Sequence, residues 1–237
     1  MNSKISPTEG MKMEPQFTPE QTPIRGPVVL EALAVWIVLS IIYLLTLAGN
    51  HTEAEDGLRY LNDIRDGDPS IIFSPYHLVY GWFAWSAYSV APIFGYNGGP
   101  LVPVQLLDAF TGAFGIALLW VLLRKVAPGR IVAAAGCGIL AFSYGYWWYS
   151  VEVEVYVLSA MLLIASLFVA YRAAMRPSWK IFALLGGTNG LAVLAHNTNV
   201  LFGTVALATL LFAWQALPTR DVVRCALAYA GVSAISI

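Results

Sequence analysis

The sequence predicts an all-α fold, a polytopic transmembrane helix bundle of about six to seven spans with interfacial helices in its first outer loop. Hydrophobic residues make up 58% of the chain and charged residues only 11%, too few to cover a water-soluble fold. The apolar residues occur in runs of roughly 17 to 23 positions, the length needed to cross a hydrocarbon core. These runs cover residues 27–49, 101–123, 131–149, 155–171, 179–195 and 199–217, and a seventh begins at 222–237.

The charged residues sort by loop, and this predicts the orientation of the spans. Eleven of the 13 basic residues can share one side of the membrane, which the positive-inside rule makes the cytoplasmic side. We therefore expect a multi-pass protein of the cell inner (plasma) membrane with a cytoplasmic N-terminus and an acidic outer face. The eleven basic residues are Lys4, Lys12, Arg25, Arg124, Lys125, Arg130, Arg172, Arg176, Lys180, Arg220 and Arg224.

The chain divides into a tail and a membrane module. Residues 1–26 are rich in Pro, Gln, Thr and Glu and show no periodicity, which predicts a disordered cytoplasmic tail. Residues 27–237 form the module, and because the chain stops inside an apolar run we expect this module to be truncated at its C-terminal end. Cys137 and Cys225 lie in apolar segments without CxxC spacing, so neither a disulfide framework nor a zinc site is indicated. No basic patch suited to nucleic acid is present.

The segment 77–95 is apolar enough to be mistaken for a further span. Counting it as a span would turn every later basic loop outward, against the positive-inside rule. We therefore predict a helix that lies in, or dips into, the outer interface, where Trp and Tyr are favoured. Its aromatic residues fit that position: Tyr80, Trp82, Trp85 and Tyr88.

The first outer loop carries the strongest candidates for chemistry. Thr52 and Glu55 have the spacing of a helix capping box, which gives Glu55 a structural explanation. On the helix that would follow, Asp56, Tyr60 and Asp63 project from the side opposite the apolar stripe. Asp56 is thus available for catalysis. The alternative is that these acids only solvate the loop and favour the helix N-terminus.

Three further segments place polar groups on the same predicted outer face. His77 follows Pro75 at the start of the interfacial helix and is suited to bind phosphate or a metal-linked water, or simply to lie at the headgroup level. Glu152 and Glu154 stand among aromatic residues, where carboxylates usually need a cation, a metal or a wet cavity. His196 lies in a loop too short to leave the membrane surface, in which Asn197 or Thr198 can start the next helix.

Asp108 is the one carboxylate that falls well inside a predicted outer-to-inner span, with Gln105 about one turn earlier. An ionised acid at that depth is costly, so we expect Asp108 to face the bundle interior and to be hydrogen-bonded. A structural polar contact is the favoured role.

Together these segments resemble the membrane-embedded GT-C glycosyltransferases, in particular bacterial relatives of the protein O-mannosyltransferase family 39. The resemblance runs from about residue 27 to the end and concerns an N-terminal module. It rests on an acidic motif in the first outer loop, on interfacial helices introduced by a segment with Pro and His, and on two later loops. In this chain these are Glu55-Asp56, Ser74-Pro75-Tyr76-His77-Leu78, Val151-Glu152-Val153-Glu154-Val155-Tyr156 and Ala195-His196-Asn197-Thr198-Asn199.

The resemblance implies transfer of a hexosyl or pentosyl group from a polyprenyl-phosphate sugar donor in the lipid bilayer. The acceptor is a glycan, lipid or protein on the extracytoplasmic face. Asp56 is the expected base because the family's acidic residue falls there, with Glu55 beside it. A divalent metal, Mg or Mn, is an open expectation, with Glu55, Glu152 or Glu154 to hold it. The residues expected to bind substrate are Arg59, His77, Tyr80, Glu152, Glu154, Tyr156, His196, Asn197 and Asn199.

Two other classes remain open from the sequence. One is a transporter or lipid-binding membrane protein, in which Asp108, Glu152 and Glu154 bind a coupling ion or a substrate; the absence of paired interrupted helices counts against it. The other is an inactive, truncated GT-C-like protein.

Overall fold

The chain forms a bundle of helices, described here from a computed structural model over residues 26–49, 55–67, 77–127 and 129–236. No strand occurs within these ranges. Ten α-helices are described, together with 3₁₀ helices at Ala91–Phe94 and Asn197–Phe202. The α-helices are α1 Gly26–Leu45, α2 Glu55–Asp66, α3 Leu78–Val90, α4 Leu101–Val126, α5 Arg130–Ala141, α6 Tyr144–Val151, α7 Val155–Met175, α8 Trp179–Ala195, α9 Gly203–Trp214 and α10 Thr219–Ser236.

The all-α membrane bundle is confirmed, and its described residues contain fewer full-length spans than the six to seven expected. In the described ranges, four helices are long and apolar enough to cross a membrane: α1, α4, α7 and the continuous stretch Asn197–Trp214. The bent pair α5 and α6 adds a fifth if it is one span. Helix α8 is apolar but has only 17 residues, and α10 carries Arg220, Asp221 and Arg224 near its start.

The predicted span 131–149 is broken rather than straight. Helices α5 and α6 meet at an angle of 65°. At the break the Ser143 side-chain Oγ donates to the Leu140 carbonyl at 2.8 Å, and the Ser143 backbone N–H donates to the same carbonyl at 3.1 Å. These bonds close a turn in place of the continuing helical ladder. The second half of the segment thereby leads the chain to a buried loop at Glu152–Glu154.

Helix α4 lies at the centre of the bundle and packs against α1, α3, α5, α6 and α7. Small residues allow these close approaches. A Cβ atom placed on Gly112 would collide with Ser150 and with Val157 of α7. Ala109, Ala113 and Ile116 are fully buried in the same core. Both cysteines are free and buried, as expected of small core residues.

One end of the bundle, which we call the basic end, collects the arginines of α4 and α5 around Glu31 of α1. The Glu31 carboxylate accepts from Arg124 Nε at 3.0 Å and pairs with Arg130 Nη2 at 2.7 Å. Trp120 Nε1 donates to it at 3.2 Å. This cluster ties three helices together at the end where the sequence places its basic loops.

At the opposite end, which we call the acidic end, α2 and α3 cover the loop ends of the longer helices. Leu61 and Ile64 of α2 are buried in a cluster with Tyr80 and Val104. Helix α3 has 13 residues and is thus about 20 Å long, against about 30 Å for a hydrocarbon core. Helix α3 is therefore too short to cross the membrane alone, in agreement with the predicted interfacial position. Residues 1–25 of the predicted tail and Thr52 of the capping box lie outside the described residues, and Gly26, predicted as the last tail residue, begins α1.

Candidate active site

The candidate site forms at the acidic end, around Asp56 in the first turn of α2. Asp56 is exposed, while the buried face of α2 fixes the helix through Leu61 and Ile64. Tyr60 lies one turn along from Asp56. Burial raises the pKa of Tyr60 above its usual value, and the negative charges of Asp56 and Glu154 add to the shift. Asp56 and Glu154, 98 positions apart in sequence, therefore lie near the same ring.

Glu154 ends the short loop between α6 and α7 and is only 7% exposed. Burial, followed by the nearby carboxylates of Asp56 and Glu152, raises the pKa of Glu154 to about 7. Glu152 is 1% exposed. The site thus holds one open carboxylate, Asp56, beside a shielded one that is partly protonated near neutral pH.

A row of aromatic rings runs beside these acids. Tyr60 meets His77 edge-on with 6.0 Å between ring centroids, and His77 lies 5.3 Å from His196. His196 lies 5.3 Å from Tyr156, which lies 4.7 Å from Tyr149. The row joins four separate parts of the chain, namely α2, the start of α3, the α6–α7 region and the loop after α8. Tyr156 is 40% exposed and offers an open aromatic face.

The two histidines are held through their Nδ1 atoms. His77 Nδ1 lies 3.2 Å from the Ala195 carbonyl oxygen, an acceptor that requires a proton on Nδ1. His196 Nδ1 lies 2.6 Å from Thr198 Oγ1. Burial, with the neighbouring His77, lowers the pKa of His196. The hydrogen bonds of both rings within the described part of the chain use Nδ1, so Nε2 is the ring atom that we expect to meet a ligand oxygen.

Behind the site lies Asp108 of α4, fully buried. Its Oδ2 accepts from the Tyr80 hydroxyl at 2.8 Å and from the Glu154 backbone N–H at 3.2 Å. Gln105 Nε2 donates to the carbonyls of Ala48 and Val151 at 3.1 and 3.2 Å. The expectation that Asp108 faces the bundle interior and is hydrogen-bonded is confirmed.

The structure brings together five of the residues that the sequence singled out. Asp56, His77, Glu154, Tyr156 and His196 surround one region of the acidic end. That they bind or transform a substrate stays a prediction. Glu55 begins α2, and its side chain lies outside the described residues.

The remaining predicted site residues lie at the edge of this region or behind it. Arg59 and Asn197 are exposed, whereas Tyr80 and Glu152 are buried. Asn199 is buried too, and its Nδ2 donates to Ser159 Oγ and to the Ala192 carbonyl, both at 2.7 Å. These bonds join α7 and α8 to the 3₁₀ helix Asn197–Phe202, which gives Asn199 a structural role.

Two residues of the aromatic row were not among the predicted site residues. Tyr60 has a signal in the sequence, because it follows Asp56 by four positions on a predicted helix. Tyr149 has none, since its contact with Tyr156 depends on how the loop between α6 and α7 turns the chain.

Metal ligands are not assembled in the described part of the chain. Within it, no group of three or more His, Cys, Asp or Glu side chains is arranged to hold a metal ion. The donors that the structure describes around Asp56 and Glu154 thus do not fit a metal site by themselves.

An apolar cleft of about 510 Å³ opens between α3 and α4. Tyr80, bonded to Asp108, precedes Phe83 of its wall by about one turn of α3, and Leu107 of the opposite wall is the neighbour of Asp108. The cleft walls therefore adjoin, along both helices, the residues of the polar contact that backs the site. Its main lining residues are Phe83, Val90, Phe94, Val102, Leu106 and Leu107.

Comparison with known proteins identifies a family to which the chain is similar. A family model described as dolichyl-phosphate-mannose-protein mannosyltransferase matches residues 76–237. The match includes His77, Glu154 and His196 but not Asp56. No curated protein and no solved structure matches the chain.

Proposed function

The chain belongs to the dolichyl-phosphate-mannose-protein mannosyltransferase family and is a membrane glycosyltransferase of the GT-C type, and we propose that it transfers a hexosyl or pentosyl group from a polyprenyl-phosphate donor. The acceptor is a hydroxyl of a glycan, lipid or protein on the extracytoplasmic face. Family membership supports the reaction class, and the positions of residues at the acidic end support the details.

The observation that carries this proposal is that Asp56 lies within electrostatic reach of Glu154, at the end of the bundle where the rings of His77 and His196 lie 5.3 Å apart. The first belongs to a helix outside the matched range, and the other three belong to loops within it. A sugar transfer from a lipid phosphate needs a base for the acceptor and positive or hydrogen-bonding groups for the leaving phosphate. Both kinds of group are present at one end of the bundle.

In the proposed step the acceptor oxygen attacks the anomeric carbon of the donor sugar. A new carbon–oxygen bond forms as the bond from that carbon to the phosphate oxygen breaks, and the electron pair leaves with the phosphate. The Asp56 carboxylate takes the acceptor proton. Asp56 suits this role because it is exposed while Glu154, its acidic neighbour, is shielded.

The leaving lipid phosphate is proposed to lie against Nε2 of His77 and of His196. Hydrogen bonds donated from the Nε2 atoms would stabilise part of the charge that grows on the phosphate oxygen. A neutral His196 can donate in this way because its Nδ1 can accept from the Thr198 hydroxyl. Arg59 is exposed in the same turn of α2 as Asp56, so we assign it to the approach of the anionic headgroup. No step is assigned to a metal.

The lipid tail and the membrane orientation complete the proposal. The tail would occupy the cleft between α3 and α4, whose apolar walls suit an isoprenoid chain and include Leu107, the residue before Asp108. The basic end, with Arg124 and Arg130, would face the cytoplasm. The acidic end would then face outward from the cell inner membrane, where lipid-linked sugars meet external acceptors.

The test is sugar transfer in proteoliposomes, with Asp56→Asn compared with Asp66→Asn. Both variants lose one carboxylate from α2, and Asp66 is an exposed residue at the far end of that helix. We expect wild type and Asp66→Asn to release polyprenyl phosphate from a radiolabelled donor at similar rates. Asp56→Asn should be slower by about a hundredfold or more. Full activity in Asp56→Asn would remove it as the base, and movement of lipid-linked sugar without transfer would favour a transporter.

A further inference from the structure

Asp108 connects three separate parts of the chain at one oxygen atom. It belongs to α4, and its Oδ2 accepts from the Tyr80 hydroxyl of α3 and from the Glu154 backbone N–H of the α6–α7 loop. The carboxylate is fully buried. A single side chain therefore fixes an interfacial helix and an acidic loop against the central helix of the bundle.

The first connection leads to Asp56 through stacked rings. Tyr80 is fully buried, and its ring meets that of Tyr60 at 5.5 Å with an angle of 67° between the planes. Tyr60 lies one turn from Asp56 on α2. The bond to Asp108 sets the orientation of the Tyr80 ring. Because Tyr60 packs on that ring, Asp108 also affects the position of the face of α2 that carries Tyr60.

The second connection leads to Asp56 from the other side. The Glu154 backbone N–H is held by Asp108, and the Glu154 side chain lies within the electrostatic reach of Asp56. The two connections therefore meet at the pair Asp56 and Glu154.

A buried aspartate at position 108 is energetically unfavourable if these contacts serve only to stabilise the fold. A carboxylate inside a membrane bundle is unfavourable, and the Oδ1 atom of Asp108 has no hydrogen-bond partner among the described residues. A smaller polar residue would bury less charge. The cost indicates that the placement of α3 and the Glu154 loop matters to the site.

We infer that Asp108 is a positioning residue, which holds Tyr80 and the Glu154 backbone so that the relative positions of Asp56 and Glu154 are kept during sugar transfer. This inference rests on the proposed function. It assigns Tyr80, a predicted substrate-binding residue, to the support of the site through Tyr60.

The first experiment compares Tyr80→Phe with Tyr146→Phe. Both changes remove a buried tyrosine hydroxyl that donates to α4 at 2.8 Å, to Asp108 in one case and to the Gly112 carbonyl in the other. We expect Tyr80→Phe to lower kcat about tenfold with the donor KM within about twofold of wild type, because a misplaced catalytic group costs rate rather than binding. Tyr146→Phe should leave kcat and KM within about twofold. Equal kcat values in the two variants would overturn the inference.

The second experiment asks whether an oxygen acceptor at position 108 is what matters. Asp108→Asn retains an acceptor for the Tyr80 hydroxyl, and Asp108→Leu does not. We expect the Leu variant to lose about a hundredfold in kcat and the Asn variant to retain at least about ten times more activity than Leu. Similar kcat values for Leu and wild type would contradict the inference.

A labelling experiment needs no turnover and so separates this inference from the proposed function. A water-soluble carbodiimide with an amine tag modifies accessible carboxyl groups, with modification mapped by mass spectrometry. Glu154 should be modified about threefold more in Tyr80→Phe and in Asp108→Leu than in wild type or Tyr146→Phe, with Asp221 at the basic end as the internal reference. Unchanged labelling of Glu154 would refute the positioning role, whereas an inactive wild type would refute only the proposed function.

Discussion

At the scale of single residues, the site combines a nearly buried carboxyl group with an exposed one. Glu154 is nearly buried and lies near Asp56 and Glu152, so its charged form is penalised by lost solvation and by repulsion. Asp56 stays exposed on α2. The sequence identified both residues, but the 98-residue separation between them leaves no local pattern from which their proximity could be predicted.

The raised pKa of Glu154 predicts a pH-dependent loss of stability. The folded-state pKa is about 7, against a reference value of 4.5. The neutral form is thus favoured by folding, and its contribution is fully present below about pH 4.5 and lost as the pH rises through about 7. Melting temperature in detergent should therefore fall between these pH values by more in wild type than in Glu154→Gln.

Asp221→Asn provides the control for that measurement, since Asp221 is half-exposed at the basic end. Its pH profile should follow that of wild type. A Glu154→Gln profile as steep as that of wild type would show that Glu154 does not titrate in this range.

At the scale of elements, composition predicted the helices well and their breaks poorly. The run 131–149 is mostly apolar on both sides of Ser143, so its hydrophobic periodicity does not mark the 65° bend between α5 and α6. The bend depends on bonds from Ser143 to the Leu140 carbonyl, which become visible only in three dimensions. By contrast, the short helix α3 was predicted from charge, because a span there would have reversed every later loop.

Close packing of α4 against α6 and α7 gives a prediction at this scale. A Cβ atom on Gly112 would overlap Ser150 and Val157, whereas one on Gly138 has nothing within 4 Å. Gly112→Ala should therefore lower the free energy of unfolding by about 1–3 kcal/mol through overpacking. Gly138→Ala should be neutral or slightly stabilising, because alanine favours helix more than glycine does. Chemical unfolding in mixed micelles measures both, and equal stabilities of the two variants would contradict the packing.

At the scale of the whole molecule, the two ends of the bundle carry different charges and different tasks. The basic end is tied by Glu31, Arg124 and Arg130, and the acidic end holds Asp56 and Glu154. The sequence predicted this polarity from loop charges alone. It did not predict Glu31, because a lone acid at the start of an apolar span gives no indication of partners about a hundred residues away.

The orientation can be read from cysteine labelling in sealed vesicles or whole cells. Ser86→Cys on α3 should react with an impermeant maleimide from outside, and Arg220→Cys should react only from the cytoplasm. The native Cys137 and Cys225 are 5% and 1% exposed, so their background should be low. Access to position 86 only from the cytoplasm would overturn the proposed topology.

The most direct test of a transfer site at the acidic end is an experimental structure with a non-hydrolysable polyprenyl-phosphonate sugar bound. The phosphonate oxygens should lie within hydrogen-bond distance of His77 or His196, the tail should follow the cleft between α3 and α4, and the anomeric carbon should face Asp56. A ligand bound at the basic end, or with its anomeric carbon turned away from Asp56, would contradict the proposed site.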